Sequence, residues 1–263
     1  MANKYLARED APFGDEIWSV LDGAMKQAAE SQLIGRRLLD VEGPFGVGLK
    51  SVSLGDKEIE SGLIASQVLP VMYIQKDFTL GARDLANFER EGVALDTCPV
   101  MAVARECARL EDELIFHGAE KMPGLMSVEG SNNLKLLSWE DIGAAANGII
   151  EAITKLDDAG FHGPYSLALA PERYNLLYRL YPQGKQSELE HIQSMVTSGV
   201  YKSSILEEGG VLMAATAQCA SLVLGQDMSI GYIGPAGAEQ EFTLSESLMV
   251  RIRQPKAICT LTE

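Results

Sequence analysis

Three histidines are the first candidates for chemistry in this chain, because an imidazole can transfer protons or bind a metal near neutral pH. They are His117, His162 and His191, which lie far apart and share no metal-ligand spacing. Glu113 precedes His117 by four residues, whereas a di-iron helical bundle uses Glu-x-x-His, three apart, and uses it twice. The histidines therefore predict no metal site.

Nucleophiles and acid–base pairs are dispersed in the same way. The sequence contains no HExxH and no GxSxG motif, which are typical of zinc peptidases and of serine hydrolases. The acidic run Glu111-Asp112-Glu113 is most simply the solvated or ion-paired face of a helix. A Ser-His-Asp triad does not require neighbouring residues, so the sequence leaves that alternative open. We predict no catalytic residue, no metal and no cofactor.

A glycine-rich stretch at residues 35–48, GRRLLDVEGPFGVG, is the remaining candidate for ligand chemistry. Gly43 and Gly48 have the separation of a phosphate-binding loop. In such a loop a lysine follows the second glycine directly, but here Leu49 precedes Lys50. We therefore interpret the stretch as a turn around Gly43 and not as a nucleotide site.

Charge and cysteine content narrow the class of protein. The formal net charge is −15 at pH 7, whereas nucleic acids and anionic membranes both attract a basic face. We expect neither partner. The four cysteines form no CxxC pair, which is typical of reduced thiols, and Cys107 is expected to be buried and unreactive. No apolar run approaches the roughly 18 residues of a membrane span, and residues 1–10 do not resemble a signal peptide. These features predict a cytoplasmic protein.

The elements that must position any site begin with the longest periodic segment, residues 97–117. Its apolar residues recur at intervals of three and four, which predicts one stripe of an α-helix about 30 Å long. They are Val100, Val103, Cys107, Leu110 and Leu114. Gly118 can end the helix. Such a segment is typical of an ordinary core helix, or of a spine on which other elements lie.

Two segments precede this spine. Residues 15–33 predict an amphipathic helix that Gly35 ends. Residues 49–80 are strand-like, with a turn expected at Gly55-Asp56-Lys57. A two-stranded ribbon is marginal in water, so we expect this arm to lie on another surface, such as a neighbouring subunit. After the spine, the pattern predicts a compact α/β unit and then a β-rich tail.

Several stretches carry a resemblance to a known family. They are GRRLLDVEGPFG at 35–46, KDFTL and LANFERE within 76–91, EDELIFHG at 111–118, GPYSLAL at 163–169 and LGQDMSIGY at 224–232. In this order they resemble the encapsulins, and more narrowly the shell proteins of the first encapsulin family, once named linocin-type bacteriocins. The resemblance extends from about residue 5 to the C-terminus.

This resemblance implies an α+β protein with the Hong Kong 97 phage-like major capsid fold. It divides the chain into an N-terminal helix and arm, an extended loop, a peripheral domain that holds the spine helix, and an axial domain. The corresponding ranges are 1–48 for the helix and arm, 49–80 for the loop, 81–126 with 221–263 for the peripheral domain, and 127–220 for the axial domain.

The function implied by the resemblance is that of a shell and not of an enzyme. About 60 copies, or about 180 with quasi-equivalence, would close into an icosahedral compartment. The cargo enzyme, a ferritin-like iron-storage protein or a peroxidase in this family, would be captured through a C-terminal targeting peptide. Some family members are associated with flavin, but no feature of this sequence predicts a flavin site.

Two other functions stay open. The first is a phage or prophage major capsid protein, which would package DNA. The acidic charge and the start of the first helix almost at the N-terminus disfavour it. The second is a peptidase or bacteriocin, which the absence of a catalytic motif disfavours.

The resemblance also places a cargo-peptide site beside the first helix and the GRRLLD segment. Arg36 and Asp40 match the polar pair of the family motif, and they would share one face if the helix ran on for a turn. Alternatively, they pair with each other or with Glu42 and brace the turn. Apolar support for the peptide is expected from Ile17, Leu21, Leu33, Met228, Ile230 and Tyr232.

A pore is the second implied site, because axial domains meet at the five-fold axis in this fold. The polar loop that precedes a predicted helix is the candidate tip. Its residues are Gln183, Gly184, Lys185, Gln186, Ser187 and Glu188. Rings of Lys185 and Glu188 would create a local field that filters ions. The alternative is a solvated turn.

Overall fold

A computed structural model describes residues 4–182 and 184–263 of the chain. Helical and strand-like segments alternate along these residues. The α-helices are α1 (Asp15–Glu30), α2 (Gly35–Leu38), α3 (Ala82–Glu91), α4 (Cys98–Phe116), α5 (Ala144–Asp158), α6 (Pro171–Leu176) and α7 (Glu188–Met195). Short 3-10 helices occur at Lys4–Leu6, Arg8–Asp10 and Pro255–Ala257.

The strands are concentrated in the hairpin after α2 and in the C-terminal half. The early strands are β1 (Asp40–Glu42), β2 (Ser51–Glu60), β3 (Leu63–Pro70), β4 (Met72–Gly81), β5 (Gly118–Ala119), β6 (Met122–Pro123) and β7 (Asn132–Lys135). The later strands are β8 (Tyr165–Leu169), β9 (Gly199–Lys202), β10 (Gly210–Ala214), β11 (Ala220–Ala236), β12 (Glu239–Ile252) and β13 (Ile258–Thr262).

The chain folds into two compact units. The first contains the described residues up to Leu33, together with Gly43–Glu111 and Leu224–Leu248. The second contains Ile34–Glu42, Asp112–Val223 and Met249–Glu263. Among the described residues, no helix combines the length and the apolar character needed to cross a bilayer.

In the first unit, β4 pairs antiparallel with β12 from Met72 opposite Leu248 to Gly81 opposite Glu239. Helix α1 contributes a buried face that consists of Ile17, Trp18, Leu21, Met25, Ala28 and Ala29. The helix ends at Glu30 and not at residue 33 as predicted. Gly35 does not end α1, because it begins the short helix α2 of the other unit.

The arm of the first unit is a hairpin of β2 and β3, with Ser51 opposite Pro70 and Glu60 opposite Leu63. The predicted turn at Gly55-Asp56-Lys57 is wrong, because these residues are paired within β2. The turn is Ser61-Gly62, a dipeptide typical of turns. A register shift between Ser53 and Gly55 marks a bulge instead.

The second unit is built on a five-stranded sheet in the order β7-β13-β10-β8-β9. Strand β10 is antiparallel to β8 and β13, whereas β9 is parallel to β8 and β7 is parallel to β13. Helix α5 packs on this sheet with small residues at its buried face, including Ala145, Ala146 and Ala152. The core continues through Trp139, Ile149, Leu156, Leu167 and Leu212.

The predicted division into peripheral and axial domains stays a prediction, and the two compact units divide the tail at other residues. The predicted axial segment 127–220 lies within the second unit. The predicted peripheral segment 221–263 is divided, since residues 224–248 belong to the first unit and 249–263 to the second. The physical reason is the pairing of β13, which joins the sheet between β7 and β10.

The spine helix is present as α4, Cys98–Phe116. Its buried face is rotated relative to the predicted stripe, because Ala104, Ala108, Glu111, Asp112 and Ile115 are buried while Val103, Leu110 and Leu114 are half-buried. Of the two alternatives for the acidic run, a solvated face is therefore wrong for Glu111 and Asp112, and an ion-paired face stays a prediction. Carboxylates at buried positions need hydrogen-bond donors. The donors to Asp112 are the backbone amides of Ile34 and Gly35.

Candidate functional site

A cavity of about 500 Å³ lies in the first unit. Six of its ten lining residues belong to the N-terminal segment Lys4–Asp10. Helix α1 contributes Asp22 and Met25, and β11 contributes Met228 and Ser229. The lining therefore combines charged residues with two methionines, of which Met228 is half-buried and Met25 is buried, and methionine side chains adapt to apolar groups of varied shape.

Arg8 connects the three elements that form this cavity. Its guanidinium donates two hydrogen bonds to the carboxylate of Asp22, each 2.7 Å long. Its Nε donates to the carbonyl oxygen of Ile230 on β11 at 2.7 Å. The guanidinium also stacks 4.5 Å from the ring centroid of Trp18. A bidentate, stacked arginine holds its partners in one geometry.

An aromatic cluster is connected to the cavity through Trp18, on which Arg8 stacks. Phe13 contacts the rings of Trp18, Tyr232 and Phe242 at centroid distances between 5.3 and 6.0 Å. Phe242 stacks on Phe78 at 5.1 Å. These contacts link α1, β4, β11 and β12 within the first unit.

The structure divides the predicted cargo-peptide residues. Met228 lines the cavity. Ile17, Leu21 and Ile230 are fully buried, and Leu33 and Tyr232 are also buried. None of these five residues lines the cavity. Sequence reasoning missed Arg8, Asp22 and Met25; the i, i+4, i+8 spacing of Leu21, Met25 and Ala29 could have indicated Met25.

Arg36 and Asp40 belong to the second unit, whereas the six apolar residues belong to the first. Helix α2 ends at Leu38 and Leu39 is extended, so Asp40 does not share a helical face with Arg36. Asp40 is exposed at the start of β1, and Arg36 is half-buried. Their expected common face is wrong, and a role in peptide binding stays a prediction.

Glu42, the alternative partner for this pair, is bound by another arginine. Arg253 donates from Nη2 to Glu42 Oε1 at 2.7 Å and from Nη1 to the hydroxyl of Ser221 at 2.7 Å. A hydrogen bond from Ser221 and the charge and hydrogen bond of Arg253 lower the pKa of Glu42 below its ordinary value of 4.5. Glu42 thus fastens β1 beside β11.

The glycine-rich stretch does not provide a phosphate loop. The amides of Phe45 and Gly46 donate to the carbonyl oxygens of Leu224 and Gly225. These donors are used within the first unit, so the stretch is a structural turn as predicted.

The predicted pore loop is placed in part. Gln183 lies outside the described residues, and Gly184, Lys185 and Gln186 are exposed. Ser187 caps α7 in a reciprocal arrangement with Glu190. Glu188 is fully buried, which corrects its predicted role in lining a pore.

Glu188 anchors this loop to neighbouring segments through hydrogen bonds. Its Oε2 accepts from Nη2 of Arg179 at 2.8 Å, and its Oε1 accepts from the amide of Gly143 at 2.8 Å. Arg179 also donates from Nη1 to the carbonyl oxygen of Glu140 at 2.9 Å. The carboxylate therefore joins three segments of the second unit, and Lys185 is the exposed charge of the predicted pore set.

The titratable groups that could perform catalysis have separate structural partners. His117 lies 3.4 Å from the carbonyl oxygen of Ile205, His162 lies beside Asp157, and His191 bonds the hydroxyl of Tyr181. Burial and the charge of Glu246 raise the pKa of the Cys107 thiol to about 12. Within residues 4–182 and 184–263, no group of three His, Cys, Asp or Glu side chains could hold a metal ion.

Comparison with known proteins identifies the family of this chain. A family model described as "Encapsulating protein for peroxidase" matches residues 3–249. The type 1 encapsulin shell protein EncA of Myxococcus xanthus is 32% identical over 98% of this chain and 96% of its own length. This chain belongs to the type 1 encapsulin family. The family prediction made from the sequence stretches is confirmed.

Solved structures confirm the fold of this encapsulin. A virus-like particle protein from Pyrococcus furiosus has a TM-score of 0.78 at 23% identity, covering 94% of this chain and 99% of its own. The capsid protein of Myoviridae phage XM1 has a TM-score of 0.65 at 14% identity, covering 86% and 90%. At these identities the likeness shows the fold, which is the predicted Hong Kong 97 phage-like capsid fold.

Proposed function

We propose that this encapsulin assembles through heterologous contacts into a closed icosahedral compartment of about 60 copies, which encloses a cargo protein. The observation that carries the proposal is the hairpin of β2 and β3. Its large apolar side chains are between 45% and 64% exposed, and they are Leu54, Ile59, Leu63, Ile64 and Val68. Two exposed strands with this much apolar surface gain stability when a second copy covers them.

Family membership supports the same proposal. The relative from Myxococcus xanthus is named a shell protein, and the solved relative from Pyrococcus furiosus is a virus-like particle. A shell acts by enclosing other proteins, so the separate structural partners of the histidines and the burial of Cys107 fit a protein whose chemistry resides in its cargo. We place the compartment in the cytoplasm, where reduced thiols are the rule.

Cargo capture is proposed for the cavity beside Arg8, with the C-terminal peptide of a cargo protein as its occupant. The two methionines offer adaptable apolar contacts to the peptide. A disordered tail loses conformational entropy when it binds, so each contact is weak. A multimeric cargo inside a many-sited shell offsets this through effective concentration. The family description supports a peroxidase as the cargo class, and a ferritin-like protein is the alternative.

The exposed loop with Gly184, Lys185 and Gln186 is proposed as part of an opening for small solutes. One lysine from each copy around a symmetry axis would produce a ring of positive charge, which favours anions and disfavours cations. Because Glu188 is buried against Arg179, it does not offset that charge at the loop.

The experiment that tests the proposal is negative-stain microscopy of the purified protein, combined with absorbance at 260 and 280 nm. We expect closed protein cages whose absorbance ratio is that of protein. Particles rich in nucleic acid would favour the capsid alternative, and the absence of particles would contradict the proposal.

A further inference from the structure

The N-terminal segment Lys4–Asp10 forms one side of the cavity and makes its own contacts with β11. A Cβ atom at Gly231 would lie 3.0 Å from the carbonyl oxygen of Leu6 and 3.3 Å from its Cα. The segment therefore lies directly against the backbone of this strand. The chain that follows this segment is attached as well, because the amide of Gly14 donates to the carboxylate of Glu89 at 3.1 Å.

Between these two contacts, Phe13 packs on the aromatic cluster, and Arg8 is bonded to both α1 and β11. Arg8 bonds both oxygens of Asp22, bonds the carbonyl oxygen of Ile230 and stacks on Trp18. The preceding residue, Ala7, adopts a left-handed conformation with φ of 50°, which is unfavourable for a residue with a Cβ atom. Backbone hydrogen bonds from the amide of Ala7 to the carbonyl oxygen of Lys4 and from the amide of Asp10 to that of Ala7 close this turn locally, and the contacts of Arg8 join the turn to α1 and β11.

We infer that Arg8 is a positioning residue that holds the N-terminal segment as the outer wall of the peptide cavity. The inference rests on the proposed capture of a cargo tail by this cavity. Arg8 itself uses its donors on Asp22 and Ile230, so its role is to fix the wall and not to bind the tail.

The geometry favours a wall over a competing occupant. A segment that occupied the ligand position would leave no space beside the methionines, yet a cavity of about 500 Å³ remains between the segment, Met25 and Met228. Without the segment, a tail on α1 and β11 would be contacted from one side only. Release of the segment should therefore weaken tail binding and not strengthen it.

The test begins with a defined probe, because the natural cargo is unidentified. Green fluorescent protein that carries randomised eight-residue C-terminal tails is co-expressed with the full-length wild-type shell, and the tail enriched in purified cages is selected. Its synthetic peptide is then titrated against intact cages. The variants are Arg8→Ala, Arg8→Lys and the exchange of Arg8→Asp with Asp22→Arg. Arg173→Ala is the matched control, since Arg173 also stacks on a tryptophan, Trp139, and pairs with a carboxylate, Glu263.

We expect Arg8→Ala cages to bind the peptide about tenfold more weakly, which corresponds to the loss of one or two contacts from the wall. Arg8→Lys should be intermediate, because lysine keeps the charge but not the bidentate and stacked geometry. The exchange should recover part of the affinity, and Arg173→Ala should bind as wild type does. Amide hydrogen exchange of residues 4–14 should be faster in Arg8→Ala cages at an unchanged melting temperature.

Unchanged or tighter peptide binding by Arg8→Ala cages would overturn the inference, and tighter binding would identify the segment as a competitor. An equal loss in Arg173→Ala cages would also overturn it, because the effect would then be general destabilisation. If wild-type cages enrich no tail at all, the proposed cargo capture fails and the inference falls with it. If Arg8→Ala does not assemble, wild-type affinity in Arg8→Lys cages would overturn the inference.

Discussion

The carboxylate of Asp112 on the spine helix accepts a hydrogen bond of 2.8 Å from the backbone amide of Gly35. It also accepts the amide of Ile34 at 2.9 Å. These two amides begin the short helix α2, which has no side-chain cap of its own. A carboxylate at the start of a helix is favoured by the free amides and by the helix dipole. The spine therefore fixes the start of the GRRLLD segment through a buried charge.

Substitution Asp112→Asn should lower the free energy of unfolding of the protomer by about 2 kcal/mol, because asparagine keeps one acceptor but turns donors toward the second amide. The measurement is the urea midpoint under conditions that dissociate the cages. Asp158→Asn is the matched control, since Asp158 is an exposed residue of the same unit. A midpoint for Asp112→Asn equal to that of the control would show that the buried carboxylate contributes nothing.

Gly35 is required where α2 meets the spine. A Cβ atom at this position would lie within 2.4 Å of Cδ1 and 2.9 Å of Cγ2 of Ile115. Gly35→Ala should cost about 1–3 kcal/mol, as overpacking of a core does. Adding Ile115→Val removes Cδ1, so the double variant should be more stable than the sum of the two single changes predicts. Strict additivity would mean that the close approach is not the reason for glycine.

Glu188 and Lys185 were both predicted to line the pore, but their substitution should have different effects on stability. Glu188→Gln leaves Arg179 with its charge only partly compensated, and breaking a buried pair in this way costs about 3–5 kcal/mol. Lys185→Gln should leave the melting temperature of the cage unchanged and alter the entry rate of charged solutes. Stopped-flow measurement of a chelator dye inside the cage reports that rate. Equal melting temperatures for both variants would contradict the role of Glu188 in anchoring the loop.

The double substitution Arg36→Ala with Asp40→Ala tests the family-derived part of the cargo site. In a shell co-expressed with its tailed cargo, the prediction requires intact cages that are largely empty, as gel densitometry would show. Full cargo load in intact cages would contradict it, and failure to assemble would favour a bracing role. Arg37→Ala on the same short helix is the control.

The sequence predicted the spine helix well and its orientation poorly, for one physical reason. Regular spacing of apolar residues locates a helix, but it does not identify the partners of a carboxylate. Asp112 is buried because its donors come from Ile34 and Gly35, 78 and 77 residues earlier in the chain. No local pattern contains that pairing. Glu188 was misplaced for the same reason, since one of its donors, the amide of Gly143, is 45 residues away.

The cavity was predicted less well than the family. Apolar character selects residues such as Ile17, Leu21 and Ile230, which are core residues and do not line the cavity. The lining instead combines a polar N-terminal segment with Met25 and Met228. Order and composition of short stretches identified the family because these depend on sequence alone, whereas the walls of a cavity depend on packing.

Velocity sedimentation at micromolar concentration distinguishes a closed shell from smaller species. About 60 copies of a 28.4 kDa chain give a particle of about 1.7 MDa, so we expect one fast, narrow boundary of that mass. The hairpin variant Ile59→Asp with Ile64→Asp should shift material to slow boundaries, because charges would replace the apolar surface proposed to contact a second copy. A wild-type protein that sediments only as monomers or dimers would contradict the account.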